Sequence, residues 1–221
     1  MLDGTLVPYD LPIEELDKMM SSPIMKEFSL ACEALSQKNN PEAYQIMKSY
    51  INDKDKYRRL YILKTIFRHS EAVELVDYLE NAIASDDYLF VDNGLTVISN
   101  YKIKVSDTLL LSAVSKRLPK LYMEVRALRM LDISEEHYTK IIELFKRAKQ
   151  CAQKEFIGEI LIEQNLPAKS KELFDLFSCD EFAKIRLFAI ELANKFGYNL
   201  SKFLLDKDGH VRKLAMKSLG E

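Results

Sequence analysis

The sequence is poor in the residues that interrupt helices. Glycine and proline occur six times each among 221 residues, and tryptophan is absent. Because sheet turns and long loops usually need glycine or proline, an all-α fold is favoured. No apolar run approaches the roughly 18 residues that a membrane-spanning helix needs, and the first residues have neither a basic start nor an apolar stretch. We therefore expect no membrane partner, no signal peptide and a cytoplasmic location.

Residues suited to catalysis or metal binding are also few. The cysteines are Cys32, Cys151 and Cys179, and the histidines are His69, His137 and His210. An odd number of distant cysteines predicts reduced thiols, each buried in a core. No histidine has the spacing of a zinc site, and we expect His69 and His210 to cap helix ends or to be solvated. With no phosphate-binding loop and no nucleophile motif, the sequence predicts no enzyme, no cofactor and no catalytic or metal-binding residue.

The charge balance argues against a polyanionic partner. Hydrophobic residues make up 48% of the chain and charged residues 30%, and the formal net charge is −2. That composition provides enough apolar material for a continuous core and a well-solvated surface. Proteins built to bind nucleic acid usually carry a clear basic excess, so nucleic acid is a possible but disfavoured partner.

Helical periodicity predicts about thirteen helices, most of them about 10–16 residues long, joined by short connections. We expect residues 1–11 to be irregular and residues 1–221 to form one domain. The expected start residues are Ser22, Asn40, Ser70, Asp86 or Asp87, Pro119, Ser134 and Asp208. Gly94 falls inside a predicted helix, where glycine costs about 1 kcal/mol relative to alanine, so a close helix crossing is expected there. A short strand over 91–98 is the less favoured alternative.

A short pattern returns along the chain. An apolar or aromatic residue followed by arginine occurs at Tyr57-Arg58, Val125-Arg126, Ile185-Arg186 and Val211-Arg212. The intervals correspond to units of about 26 to 34 residues, and such a period is typical of stacked helical repeats.

The best copies of this pattern resemble the HEAT-like repeat family, in the short form found in phycobilisome-lyase-type repeats. The matching residues are an acidic turn at Asp180 and at Asp206 or Asp208, the Ile-Arg and Val-Arg pairs, and Ala189 and Ala215. The resemblance implies an α-solenoid, a right-handed superhelix of about six antiparallel helix pairs. It also implies a structural ladder of ion pairs made by Asp180, Arg186, Asp206 and Arg212. Tetratricopeptide repeats have a similar period, but their tryptophan-containing signature is missing.

A curved helical array suggests a non-enzymatic scaffold that binds a protein or peptide on its concave face. The possible partner-binding residues are Arg58, Tyr61, Arg126 and Arg129, because tyrosine and arginine are frequent interface anchors. Leu214 and Leu219 are expected to be exposed, which would make the C-terminal end a docking or dimer surface. The expected oligomeric state is a monomer or a weak homodimer. The alternative is a nucleic-acid-binding protein related to the HEAT-like alkylpurine DNA glycosylases, although this chain lacks their tryptophan and basic charge. A bilin lyase or chaperone is a third hypothesis.

Overall fold

The computed structural model describes residues 7–164 and 167–220, and within them every regular element is helical. The α-helices of this part of the chain are α1 (Ile13–Met20), α2 (Met25–Gln37), α3 (Pro41–Ser49), α4 (Lys56–Thr65), α5 (Val76–Ala84), α6 (Tyr88–Tyr101), α7 (Asp107–Arg117), α8 (Glu135–Arg147), α9 (Cys151–Glu163), α10 (Ser170–Ser178), α11 (Ala183–Phe196) and α12 (Gly209–Leu219). Shorter 3-10 segments span Ile66–Arg68, Ser70–Leu75, Leu118–Lys120, Met123–Met130, Pro167–Lys169 and Ser201–Leu205. The all-α prediction is confirmed for the described residues.

The N-terminal prediction can be compared with the structure only in part. Residues 7–11 contain no helix, as expected, whereas residues 1–6 lie outside the described part of the chain. The strand alternative over 91–98 is wrong, because these residues belong to the helix Tyr88–Tyr101.

Local sequence signals explain where four of the α-helices begin. The side chains of Asn40 and Asp87 accept hydrogen bonds from the first backbone N–H groups of α3 and α6. Ser134 and Asp208 do the same for α8 and α12. Such caps satisfy donors that have no partner within the helix. Three predicted starts differ: α2 begins at Met25, after Ser22, Ser70 opens a 3-10 segment, and Pro119 lies in another.

The chain divides into two compact units, Met1–Arg117 and Leu118–Glu221. In the first unit, α2 packs against α4 and α4 packs against α6, while α1 packs on α2 and α5 on α6. The buried core includes Phe28, Leu35, Ile62, Leu63 and Leu95. We call these alternate helices, α2, α4 and α6, the second helices. Each second helix contacts the next one in the chain, so α4 shares its core with two neighbours.

Gly94 allows α5 and α6 to approach closely within this first unit. A Cβ atom built on Gly94 would lie 2.7 Å from Cγ2 of Ile83, closer than carbon atoms tolerate. The expected close crossing is therefore confirmed, and the helix accepts a poor helix former because a side chain does not fit there.

The second unit has the same arrangement, and its second helices are the Met123–Met130 segment, α9, α11 and α12. The Met123–Met130 segment packs against α9, α9 against α11, and α11 against α12. The helices α8 and α10 and the Ser201–Leu205 segment pack on α9, α11 and α12 respectively. Ala189 and Ala215 are completely buried, and their small side chains leave room for the neighbouring helix.

The α-helix predicted to start at Pro119 is wrong. Residues 118–130 form two 3-10 segments instead. The side-chain amide of Gln153, which is 1% exposed, donates to the carbonyls of Leu118 and Leu121 at 2.5 and 2.6 Å. Gln153, more than thirty positions away, thus pairs with both carbonyls. They can be buried without a loss of hydrogen bonding even though no α-helical hydrogen bond reaches them.

Candidate functional site

Three second helices share one arginine arrangement. Arg59, Arg186 and Arg212 each lie four residues after the residue that caps the start of their helix. Each turns back and donates from Nη1 to a backbone carbonyl two residues before that cap. The carbonyls belong to Asp53, Asp180 and Asp206, at 2.6, 2.9 and 2.6 Å. In α4 the recurring sequence pattern contains Arg58, whereas the residue with this arrangement is the neighbouring Arg59.

The same positions provide ion pairs between successive second helices of the second unit. Arg186 on α11 binds Asp206 before α12 in a bidentate pair, with both N–O distances at 2.7 Å. Lys154 on α9 binds Asp180 before α11 at 2.5 Å. The carboxylate side chains of Asp180 and Asp206 are only 4% and 9% exposed. Hydrogen bonding from Arg186 holds the pKa of Asp206 below its ordinary value, and Asp206 raises the pKa of Arg186.

Of the four predicted ladder residues, Arg186 binds the carboxylate of Asp206 and Arg212 binds its backbone carbonyl. The carboxylate of Asp180 is bound by Lys154, which is not part of the recurring sequence pattern. The signal that identifies Lys154 is its position, four residues after the cap Gln150. Lys154 does not match the recurring sequence pattern, because that pattern is an apolar or aromatic residue followed by arginine.

Arg126 has the equivalent position, but it forms no ion pair with a carboxylate of residues 7–164 or 167–220. It lies four residues after Tyr122, which caps the Met123–Met130 segment. Asp180 and Asp206 each lie two residues before the cap of a second helix. At the same position before α9, whose cap is Gln150, the chain has the buried Ala148. In the described part of the chain, no hydrogen-bond partner reaches the buried Nε of Arg126. Its guanidinium lies 4.2 Å from the ring centre of Phe156, a cation–π contact.

Exposed side chains surround this arginine. Tyr122 is 54% exposed and meets Phe156 edge-on, with ring centres 6.4 Å apart, and Met123 is 40% exposed. Arg129, one turn further along, binds Glu159 at 2.7 Å and Glu163 at 3.1 Å. We call Tyr122, Met123, Arg126, Arg129 and Phe156 the Arg126 surface. It combines an exposed tyrosine and methionine with a cation that lies against the buried Phe156 and for which the described residues provide no ion pair.

The other two predicted partner-binding residues lie in the first unit. Arg58 has a side chain that is only 15% exposed. Its guanidinium donates to the carbonyls of Met20 and Ser22 and lies 4.7 Å from the ring centre of Phe28. Tyr61 is partly exposed, with the Lys64 ammonium 5.9 Å from its ring centre. Arg58 is thus occupied by internal contacts, and both residues are only partly exposed.

The predicted environments of the cysteines and histidines are only partly correct. Cys32 is buried and Cys151 partly buried, but Cys179 is exposed. His210 is exposed as expected, whereas His69 is only 5% exposed. His69 follows a helix end in sequence, but tertiary packing encloses it.

Two kinds of site are not found in residues 7–164 and 167–220. No group of three histidine, cysteine or acidic side chains there could hold a metal ion. Among the helices of the same ranges, none combines the length and apolar character needed to cross a membrane. Leu214 and Leu219 are 36% and 47% exposed, as expected.

Comparison with known proteins does not assign the chain to a family. The resemblance to HEAT-like repeats consequently rests on the residues of this chain and stays a prediction. No family model matches the sequence, and no significant match exists among curated proteins.

Proposed function

We propose that the protein is a HEAT-like helical-repeat scaffold that binds a protein partner through the Arg126 surface. The observation that carries the proposal is the missing carboxylate: Arg126 stands where Lys154 and Arg186 bind Asp180 and Asp206, yet the matching position is Ala148. The Arg126 guanidinium lies against Phe156 and forms no ion pair with the described residues, so it is suited to bind a carboxylate of another molecule.

The neighbouring side chains fit the same role. Tyrosine and arginine are the residues most enriched among the side chains that dominate binding energy at interfaces. Tyr122 offers a large exposed ring with little conformational freedom to lose, and Met123 offers an adaptable apolar contact beside it. The partner segment is therefore expected to carry an aspartate or glutamate next to an apolar residue.

The proposed architecture is an α-solenoid, a right-handed superhelix of helix pairs. Its support is the repeated contact of each second helix with the next inside each unit, and the ion pairs that join α9, α11 and α12. Small-angle X-ray scattering tests it. A compact chain of 221 residues has a radius of gyration of about 17 Å, so an extended array should exceed that value, and a value at or below it would contradict the solenoid.

The binding function is tested by selecting peptides from a random library against the intact protein. We expect enriched peptides with an acidic residue beside an apolar one, and a loss of affinity of at least about tenfold with Arg126→Ala or Tyr122→Ala. Lys140→Ala is the matched control, because Lys140 is an exposed cation paired with Glu136 on α8. Peptides that bind wild type and Arg126→Ala equally would contradict the proposal.

A parallel capture experiment separates protein partners from nucleic acid. The wild-type protein and the Tyr122→Ala/Arg126→Ala variant are incubated with cell extract, with and without nuclease. A protein retained by the wild type alone in both samples supports the proposal. Retention that disappears with nuclease would instead favour nucleic-acid binding, and a salt titration with duplex DNA would follow.

A further inference from the structure

A cleft of about 300 Å³ lies beside Arg59 in the first unit. Other residues that line it are Asn52, Asn81 and Ser85, whose side chains are polar, and Phe90, whose ring centre lies 5.7 Å from the Arg59 guanidinium. None of the described lining residues is acidic. The cleft therefore combines a cation, hydrogen-bonding groups and an aromatic ring in a volume that suits a small ligand.

Arg59 uses only part of its guanidinium inside the protein. Nη1 donates to the backbone carbonyls of Asp53 and Lys54, at 2.6 and 3.2 Å. Within residues 7–164 and 167–220, no hydrogen-bond partner and no carboxylate reaches Nε or Nη2, and neither atom is buried. Arg59 thus has two accessible donor atoms for a further partner.

The equivalent arginine of the second unit shows what these donor atoms can bind. Arg186 also lies four residues after the cap of its helix, and its Nη1 also donates to two backbone carbonyls, those of Asp180 and Glu181, both at 2.9 Å. Its Nε and Nη2 bind the two carboxylate oxygens of Asp206 at 2.7 Å. The same two atoms of Arg59 are therefore placed to bind a carboxylate in a bidentate pair.

Ser85 stands in the first unit where Asp206 stands in the second. It lies two residues before Asp87, the cap of α6, and its Oγ accepts from the backbone N–H of Asp87 at 3.0 Å. Asp206 accepts in the same way from Asp208 at 2.8 Å. The backbone angles also agree, with φ −61° and ψ 152° at Ser85 and φ −60° and ψ 145° at Asp206. Because a serine has one oxygen and no charge, it cannot form the bidentate ion pair.

Acidic residues near the cleft do not take the place of that carboxylate. The Asp53 carboxylate lies 3.7 Å from Nη1 of Arg58, and Asp87 binds Lys56. Asp86 is exposed, so water and salt screen its charge. The cation that lines the cleft therefore remains available to an anion from outside the chain.

We propose that this cleft binds a carboxylate with an apolar group beside it, as carried by a small organic acid or by the C-terminus of a peptide. Nε and Nη2 of Arg59 bind the two carboxylate oxygens, as those of Arg186 bind Asp206. Asn52 and Asn81 offer hydrogen bonds to neighbouring polar groups, and Phe90 packs against the apolar group. The site lies within the first unit and does not depend on the Arg126 surface.

The test is an NMR titration of the full-length, isotope-labelled protein with three probes. The probes are N-acetyl-leucine, its neutral amide, and 4-methylpentanoate, which keeps the carboxylate and the apolar group but lacks the acetylamino group. We expect the carboxylates to bind at least about tenfold more tightly than the amide, with shifts at Nε–H of Arg59 and at the side-chain amides of Asn52 and Asn81. Tighter binding of N-acetyl-leucine would support a peptide C-terminus, and binding of 4-methylpentanoate that is as tight or tighter would support a small organic acid.

Three results of this titration would overturn the proposal. They are equal binding of the amide and the carboxylates, shifts confined to the Arg126 surface, and no shift at the cleft with any probe up to the millimolar range.

A variant that copies the second unit tests the same assignment. Ser85→Asp should pair with Arg59 as Asp206 pairs with Arg186, so we expect it to unfold at a higher temperature than wild type and to raise the Kd of the carboxylates at least about tenfold. Ser85→Asn is the matched control, since it has nearly the same shape without the charge and should change both values less. Lys64→Ala removes an exposed cation of α4 outside the lining and should leave Kd unchanged. If Ser85→Asp binds the carboxylates as tightly as wild type or Ser85→Asn does, the assignment is wrong.

Discussion

Arg186 and Asp206 form a bidentate ion pair that joins two successive second helices, α11 and α12. Both N–O distances are 2.7 Å, and the side chains are 5% and 9% exposed. Arg186 also donates to the carbonyls of Asp180 and Glu181, and Asp206 accepts from the backbone N–H of Asp208. Every polar group of the pair is thus paired, which is the condition under which a buried ion pair is tolerated.

Removing one member of this pair should be costly. We expect Asp206→Ala to lower the free energy of unfolding by about 3 kcal/mol, because the Arg186 charge is left buried without its counter-charge. Asp175→Ala is the control: the Lys171–Asp175 pair has side chains 62% and 57% exposed, and its loss should cost less than about 0.5 kcal/mol. Urea denaturation followed by circular dichroism measures both values, and similar losses in the two variants would contradict the prediction.

Acid should weaken the same ion pair. The folded-state pKa of Asp206 is lowered, chiefly by hydrogen bonding from Arg186, whereas an unfolded chain gives aspartate a pKa of about 3.9. The resulting stabilisation is complete above that unfolded value and is lost as pH falls towards the lower folded value. The stability difference between wild type and Asp206→Asn should therefore be constant near neutral pH and shrink below about pH 4. Urea unfolding at a series of pH values tests this, and a difference that stays constant into acid would disprove it.

Gly94→Ala should destabilise the protein although alanine is the better helix former. The gain in helix propensity is about 1 kcal/mol, but the new methyl group would lie 2.7 Å from Cγ2 of Ile83. Overpacking of a core costs about 1–3 kcal/mol, so we expect a lower thermal midpoint.

Two further variants check the cause of this effect. Ile83→Leu removes the β-branched methyl group and should partly rescue Gly94→Ala. At Gly209, the nearest atom to an added Cβ is Nη2 of Arg212 at 3.6 Å, so Gly209→Ala should change stability little. A Gly94→Ala protein as stable as wild type would show that α5 and α6 can separate without cost.

The three thiols should differ in reactivity. Cys179 is exposed, whereas Cys32 is buried and burial raises its pKa far above the ordinary range. Because the thiolate is the reactive form, a maleimide should label Cys179 rapidly in the native protein and Cys32 only as the protein unfolds. Mass spectrometry of digested samples measures each rate, and Cys179→Ser should abolish the fast phase. Rapid labelling of native Cys32 would contradict its burial.

The sequence alone determined the helical class, four of the helix starts and the close approach at Gly94. These features depend on residues a few positions apart: Asn40 and Ser134 cap the helices that follow them, and apolar residues recur with the helical period. The sequence also indicated that an acidic turn and an arginine recur together, because both lie near the start of the same helix.

Only the tertiary structure decided which residues meet. Gln153 donates to the carbonyls of Leu118 and Leu121, and the segment around them forms 3-10 turns although its sequence has a helical pattern. Packing encloses His69, and it shows that Arg126 lacks the carboxylate that Arg186 finds in Asp206. These outcomes depend on groups that are distant in the chain and become neighbours only when helices pack. Local propensity acts over a few residues, whereas burial and charge pairing act across the core.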